Sequence, residues 1–204
     1  LYLGGRSPPV SVSLALRLAL VLVAAVGGGP LLAQTPVAAT QAAARIVHDG
    51  RLGDWDGIAP LATDPDDRPP GAVDLLALAV TNDERRLRLR LTVADVVQLQ
   101  ENNDLVLHLD TDADPTTGRA VAGIGADLSF AFGSRSGTVV VDGSEVAVGH
   151  APLSLSWAPT FAAADFEVEI DLDAEVGGTR LFSGDDLRIV LTAGASERLP
   201  QAEG

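Results

Sequence analysis

From residue 45 onward, apolar and polar residues alternate one for one far more often than they fall at helical spacing. Leu87, Leu89, Leu91 and Val93 interleave with Arg86, Arg88, Arg90 and Thr92. The run DFEVEIDLD at 165–173 repeats the pattern, with Phe166, Val168, Ile170 and Leu172 set against Glu167, Glu169, Asp171 and Asp173. Successive side chains of a strand point to opposite faces, so each run predicts a half-buried strand, its outer face basic in the first case and acidic in the second. The acidic stripe is expected to face solvent or to meet the arginine stripe across the sheet. Further strands are expected at 75–81, 104–110, 126–132, 138–141, 153–157 and 187–192, each bounded by Gly, Pro, Asn or Asp. Residues 94–100 allow only a short turn, because no three-and-four apolar spacing persists there. Many short strands separated by turn signals predict an all-β chain: a two-sheet antiparallel β-sandwich of jelly-roll-like form.

The beginning of the chain reads differently. Arg6 and Arg17 precede the apolar run LALVLVAAV at 18–26, which three glycines and Pro30 then interrupt. That is the order of a secretory signal, and the run is too short for a membrane helix, which needs about 20 apolar residues. The expected division is a signal peptide at 1–33, a flexible spacer at 34–44 (QTPVAATQAAA) and one domain at 45–204. A secreted, periplasmic or extracellular protein is expected, with no membrane segment in its mature form.

Charge and composition narrow the partners. The formal charge is −14, and every basic residue is an arginine, so a nucleic-acid backbone would meet a repelling surface. The absence of cysteine excludes disulfides, thiolate metal sites and cysteine nucleophiles. Without methionine a Met/His haem pair is impossible, and His48, His108 and His150 are too scattered for a zinc motif. His108 alternates with Leu107 and Leu109 and is expected on the solvated face, beside an acidic loop. No GxSxG elbow surrounds Ser134 or Ser154, and the short GIG at 123–125 reads as a turn or bulge. Glu167 and Glu169 share a strand face and have the spacing of a glycosidase carboxylate pair, but a solvated acidic stripe explains them better. DPDDRPPG at 64–71 reads as a plain connecting loop.

The stretch LDTDADPTTG at 109–118 carries the most specific chemistry. Leu105, Leu107 and Leu109 define the buried face of a strand, so Asp110 starts on the other face, and Pro115 stops the ladder from continuing. Once the chain turns, Asp110, Asp112 and Asp114 can converge, with Asp127 returning after Gly125 as a fourth acid. Such a set of oxygens suits calcium and not zinc. It is not an EF-hand, since its sixth residue is proline and its twelfth is Val121. The competing reading is an Asx-rich turn whose carboxylates cap backbone amides.

In order along the chain, IVHDGRLGDWDG, DLLALAVTNDERRLRLRLTVAD, NDLVLHLDTDADPTTG and GIGADLSFAFG resemble the family 9 carbohydrate-binding modules and their DOMON-like relatives. The matching positions include Asp49, Gly50, Trp55, Asp74, Asn82, Asp83, Asn103, Asp104, Asp110 and Asp112. The resemblance implies an exported two-sheet sandwich, often attached to an enzyme, that binds calcium as well as sugar. Sugar binding in that family depends on exposed aromatic rings, and this chain is only 4% aromatic. Trp55, Trp157 and His108 are the candidate ligand contacts, although both tryptophans, like Phe130 and Phe132, read first as core. The expected function is a secreted, non-catalytic module, stabilised by calcium, that binds polysaccharide or glycan and is no enzyme itself. The alternatives are a cell-surface structural or protein-interaction module, and the targeting module of a hydrolase continuing beyond residue 204.

Overall fold

The two strands with the strictest alternation lie side by side at the centre of one sheet. In the computed structural model the described residues are 17–18, 46–68, 72–195 and 197–201; apart from 17–18, the expected signal peptide and spacer lie outside them. Among these residues the fold is all-β, with one 3-10 turn at Leu52–Trp55 and no α-helix. Among the described residues no helix is long and apolar enough to cross a membrane.

Sheet one contains β1 (Arg17–Leu18), β5 (Leu105–Asp110), β8 (Leu128–Ala131), β9 (Ser136–Val141), β10 (Ser144–Gly149), β15 (Asp186–Ala193) and β16 (Glu197–Leu199). Its order is β1-β15-β5-β8-β9-β10, with β16 also paired to β15. Sheet two runs β11-β12-β4-β3-β2, where β2 is Ala62–Thr63, β3 Leu75–Asn82, β4 Arg86–Val97, β11 Ser156–Ala158 and β12 Ala163–Asp171. Two short ribbons complete the fold: β6 (Arg119–Val121) with β7 (Ile124–Ala126), and β13 (Glu175–Val176) with β14 (Thr179–Arg180). Every pairing is antiparallel except that of β1 with β15.

The sheets pack face to face, as the alternation requires. Leu87, Leu89, Leu91, Phe166, Val168 and Ile170 from sheet two share a core with Leu105, Leu107, Leu109, Phe130, Ile189 and Leu191 from sheet one. Each such leucine contributes about 1.5–3 kcal/mol by leaving water. The outer face of sheet two carries the expected charge ladder. Register places Arg88 opposite Glu169 and Arg86 opposite Asp171, and both pairs are ion-paired, with Arg88 Nε donating to Glu169 at 2.9 Å.

Several boundaries differ from expectation. β4 continues through Val97, so the turn expected from residue 94 starts only after it. Of 153–157, only the last two residues join a strand; Leu153 and Leu155 are buried in the preceding turn. The run expected at 126–132 breaks at Asp127, whose amide donates to the Leu109 carbonyl while its own carbonyl accepts from Val140. β10 was missed because SEVAVG is short and exposed. It is closed onto β9 by Asp142 and Gly143, both at positive φ, the geometry of a two-residue hairpin turn.

The larger correction concerns the outer faces. Alternation places Glu167 and His108 outward, and both are indeed opposite the core, yet both are buried, at 1% and 7% exposure. Each lies under a covering segment. The entry segment before β2 brings Ile46 and Trp55 against Ala79 on the outside of sheet two, and the β6–β7 ribbon brings Ile124 and Ala126 against Val190 on the outside of sheet one. A strand's period reveals two faces but not what later folds over the outer one.

Candidate metal centre

β5 ends with Asp110 on its outer face, just where the β6–β7 ribbon crosses, so this carboxylate is fully buried. Arg188, directly opposite in register on β15, donates from Nη1 to Asp110 Oδ2 at 3.0 Å. The other oxygen, Oδ1, is buried with no hydrogen-bond partner among the described residues. Burial pushes the Asp110 carboxyl above the usual range, the guanidinium opposes that push, and the neighbouring Asp112 carboxylate adds to it. An unpartnered oxygen on a buried, singly paired carboxylate is costly unless a cation or proton completes it.

The chain next turns through Thr111, Asp112 and Ala113, the last at positive φ. Asp112 Oδ1 accepts the Asp114 amide at 2.9 Å, and both its oxygens lie near the Thr117 hydroxyl. Asp127 enters from the break between β7 and β8 and fixes the start of the turn: its Oδ2 accepts the Thr111 amide at 2.7 Å and the Thr111 hydroxyl at 2.9 Å. Asp127 too is pushed up by burial, against the pull of those donors. Asp110, Asp112 and Asp127 each offer an oxygen within 4.8 Å of the others.

The remaining expected ligand, Asp114, stands apart. Its Oδ1 caps the Thr116 amide and hydroxyl at 2.9 and 2.7 Å, bonds that hold its carboxyl below the usual range, and its carbonyl accepts from Thr117. The two readings of LDTDADPTTG therefore divide the residues between them: Asp110 and Asp112 converge with Asp127, and Asp114 makes the turn. Gly125 makes the close fold possible, since a Cβ there would lie 2.2 Å from the Thr117 carbonyl oxygen.

The donor set fits a hard divalent cation. All its groups are oxygens, and three carboxylates beside one guanidinium leave two negative charges for the ion to neutralise. The exposed side of Asp112 opens into a cleft of about 520 Å³ lined by Thr116, Thr117, Asp142, Glu145 and Arg180 among others.

The ligand candidates from sequence are placed elsewhere. His108 is not solvated: its Nδ1 lies 2.9 Å from Ser129 Oγ and its Nε2 3.2 Å from Thr192 Oγ1, and burial, with Arg119 nearby, pushes its pKa down to about 4. Trp55 is 2% exposed and donates from Nε1 to Glu167 Oε1 at 2.8 Å, so it presents no ring face to a ligand. Trp157 is half-buried, edge-on to Phe132 and His150, with Nε1 directed at Gln100. The Glu167 and Glu169 pair is committed to the fold. Glu167 also accepts the amides of Asp49 and Gly50 at 3.1 and 2.6 Å, and Glu169 pairs with Arg86 and Arg88.

Sequence reasoning missed a second acidic cluster, with Asp64 and Asp67 inside the stretch read as a plain loop and Asp74 just after it. Its signal was an acid, Asp74, at the head of an apolar strand, a few residues after Asp64 and Asp67. Comparison with family models, with curated proteins and with solved structures found no match to this chain.

Proposed function

We propose that this chain is a secreted, non-catalytic binding module whose Asp110, Asp112 and Asp127 hold calcium at the inner end of a polar cleft, and that its ligand is a glycan. The observation that carries the reading is the fully buried Asp110, half satisfied by Arg188 and half unsatisfied, with two further carboxylates around it. Calcium takes six to eight oxygens, more than these three side chains supply, so exposed coordination positions remain for water or for ligand hydroxyls. The cleft supports a polyhydroxylated ligand by its hydroxyls, carboxylates and arginine, in place of the stacking rings that the buried Trp55 and half-buried Trp157 do not offer. The commitment of Glu167 and Glu169 to structural bonds favours a binding role over hydrolysis.

A second reading, a protein-interaction module, is favoured by Phe161 and Val96, large apolar side chains 69% and 68% exposed. Retention of the purified domain on a panel of soluble and insoluble polysaccharides, in calcium and in chelator, separates the two. Retention in calcium that weakens in chelator supports the glycan reading. No retention on any polysaccharide in calcium removes it and leaves the protein-interaction reading.

A further inference from the structure

We propose a second divalent-cation site at Asp64, Asp67 and Asp74, which pins the loop after β2 to the head of β3. It is independent of the site at Asp110.

The three residues each bring a carboxylate oxygen within 4.8 Å of the others. Asp74, immediately before β3, is only 3% exposed. Its Oδ2 accepts the amides of Asp67 and Arg68 at 3.0 and 3.1 Å, which draws the loop onto the sheet. Its Oδ1 is buried and finds no partner among the described residues. A carboxylate whose one oxygen organises the loop backbone while the other is left bare, with two more carboxylates beside it, is a site built around a positive charge.

Among the described residues no arginine is ion-paired with Asp64, Asp67 or Asp74. Arg68, the basic residue of the loop, is engaged by another acid, with its Nε donating to the buried Glu197 at 2.8 Å. Glu197 also accepts the Leu75 amide at 3.3 Å. The arginine and Glu197 cancel, so the three aspartates keep three negative charges, one more than the Asp110 centre carries. Asp64 is oriented by Gln201, whose amide donates to its Oδ2 at 2.8 Å. Asp67 is exposed and completes the cluster from the solvent side. All the donors are oxygens, which selects a hard cation such as calcium over zinc. The bound ion would tie together the β2 edge, the head of β3 and, through Gln201, the segment after β16.

The test is calorimetric titration of chelator-stripped protein with CaCl2, together with hydrogen exchange at residues 64–68. The variants are Asp67→Asn, which alters only an exposed side chain, and Asp74→Asn, which keeps an oxygen for the two loop amides. Asp112→Asn reports on the other centre. Wild type should bind two ions, and Asp67→Asn and Asp74→Asn should each lose one, with affinity at that site reduced at least tenfold. Calcium should slow exchange at 64–68 in wild type and in Asp112→Asn but not in Asp67→Asn. If only the Asp110 reading were wrong, Asp112→Asn would keep the wild-type stoichiometry while Asp67→Asn removed binding altogether. Wild-type stoichiometry retained in folded Asp67→Asn and Asp74→Asn, or no calcium binding in folded Asp112→Asn, would overturn the second site.

Discussion

Glu167 and Asp110 sit in matching places: each projects from the outer face of a sheet, and each is buried because a later or earlier part of the chain folds across it. Their bonding differs. Glu167 receives three donors, the Trp55 indole and the amides of Asp49 and Gly50, which use both its oxygens. Asp110 receives one guanidinium and keeps an oxygen bare. Burial alone therefore does not distinguish a structural acid from a ligand. The count of donors separates these two acids, and in the proposed function the bare oxygen of Asp110, with Asp112 and Asp127 beside it, is where the ion would bind.

The largest effect should come from breaking the saturated side. Glu167→Ala strands three donors beneath the entry segment, at a cost of about 3–5 kcal/mol, which lowers the melting temperature by about 10 °C or more. Glu167→Gln keeps one acceptor and should cost less. A thermal melt of both variants checks the order, and wild-type stability in Glu167→Ala would mean that the entry segment is held by its apolar contacts alone.

His108, two residues before Asp110, is a saturated neighbour of the unsaturated acid. Its folded pKa, about 4, lies below the ordinary value of 6.5, so the unfolded chain binds the proton first as pH falls. The stability tied to its neutral form is complete above pH 6.5 and is lost as the pH drops toward 4, about 3 kcal/mol in all. In chelator, denaturant melts across this window should show a steeper acid loss for wild type than for His108→Gln. Parallel curves would show that the ring does not titrate as its burial requires.

The third effect sharpens the unsaturated side. Calcium at about a hundred times its dissociation constant should add about 2.7 kcal/mol, a rise of about 5–10 °C. Asp112→Asn keeps an acceptor for the Asp114 amide but loses a ligand charge, so the share of that rise belonging to the Asp110 centre should vanish. In chelator the same variant should melt no lower than wild type, because one of three crowded carboxylates has been neutralised. A full calcium shift in Asp112→Asn would leave LDTDADPTTG as a turn throughout.

Much of the sandwich was legible because its strands obey period two strictly: Leu87 to Val93 and Phe166 to Leu172 place themselves, and with them the charge ladder between β4 and β12. The centre at Asp110 was legible in part, since alternation put Asp110 outside and Pro115 forced the turn. It could not tell that Asp114 would be drawn to its own Thr116, a contest decided by local geometry. Glu167 and His108 were misread for one reason. Their surroundings come from residues 46–55 and 119–126, segments without strong periodicity whose resting places are set by tertiary contact.

The edges of the two sheets are unequal. Sheet two ends in strands of two and three residues, β2 and β11, which leave little open backbone. On sheet one, β16 and β1 cover both ends of β15, so its free backbone is limited to the stretch around Arg188–Val190. The six residues of β10 are the long open edge, with Glu145 and Val146 exposed along it. Among the described residues this is the longest open edge to which an extended segment could add itself as a strand. Glu145 puts a negative charge there, so that edge should discriminate against acidic copies of its own chain and remain open to a neutral or basic strand.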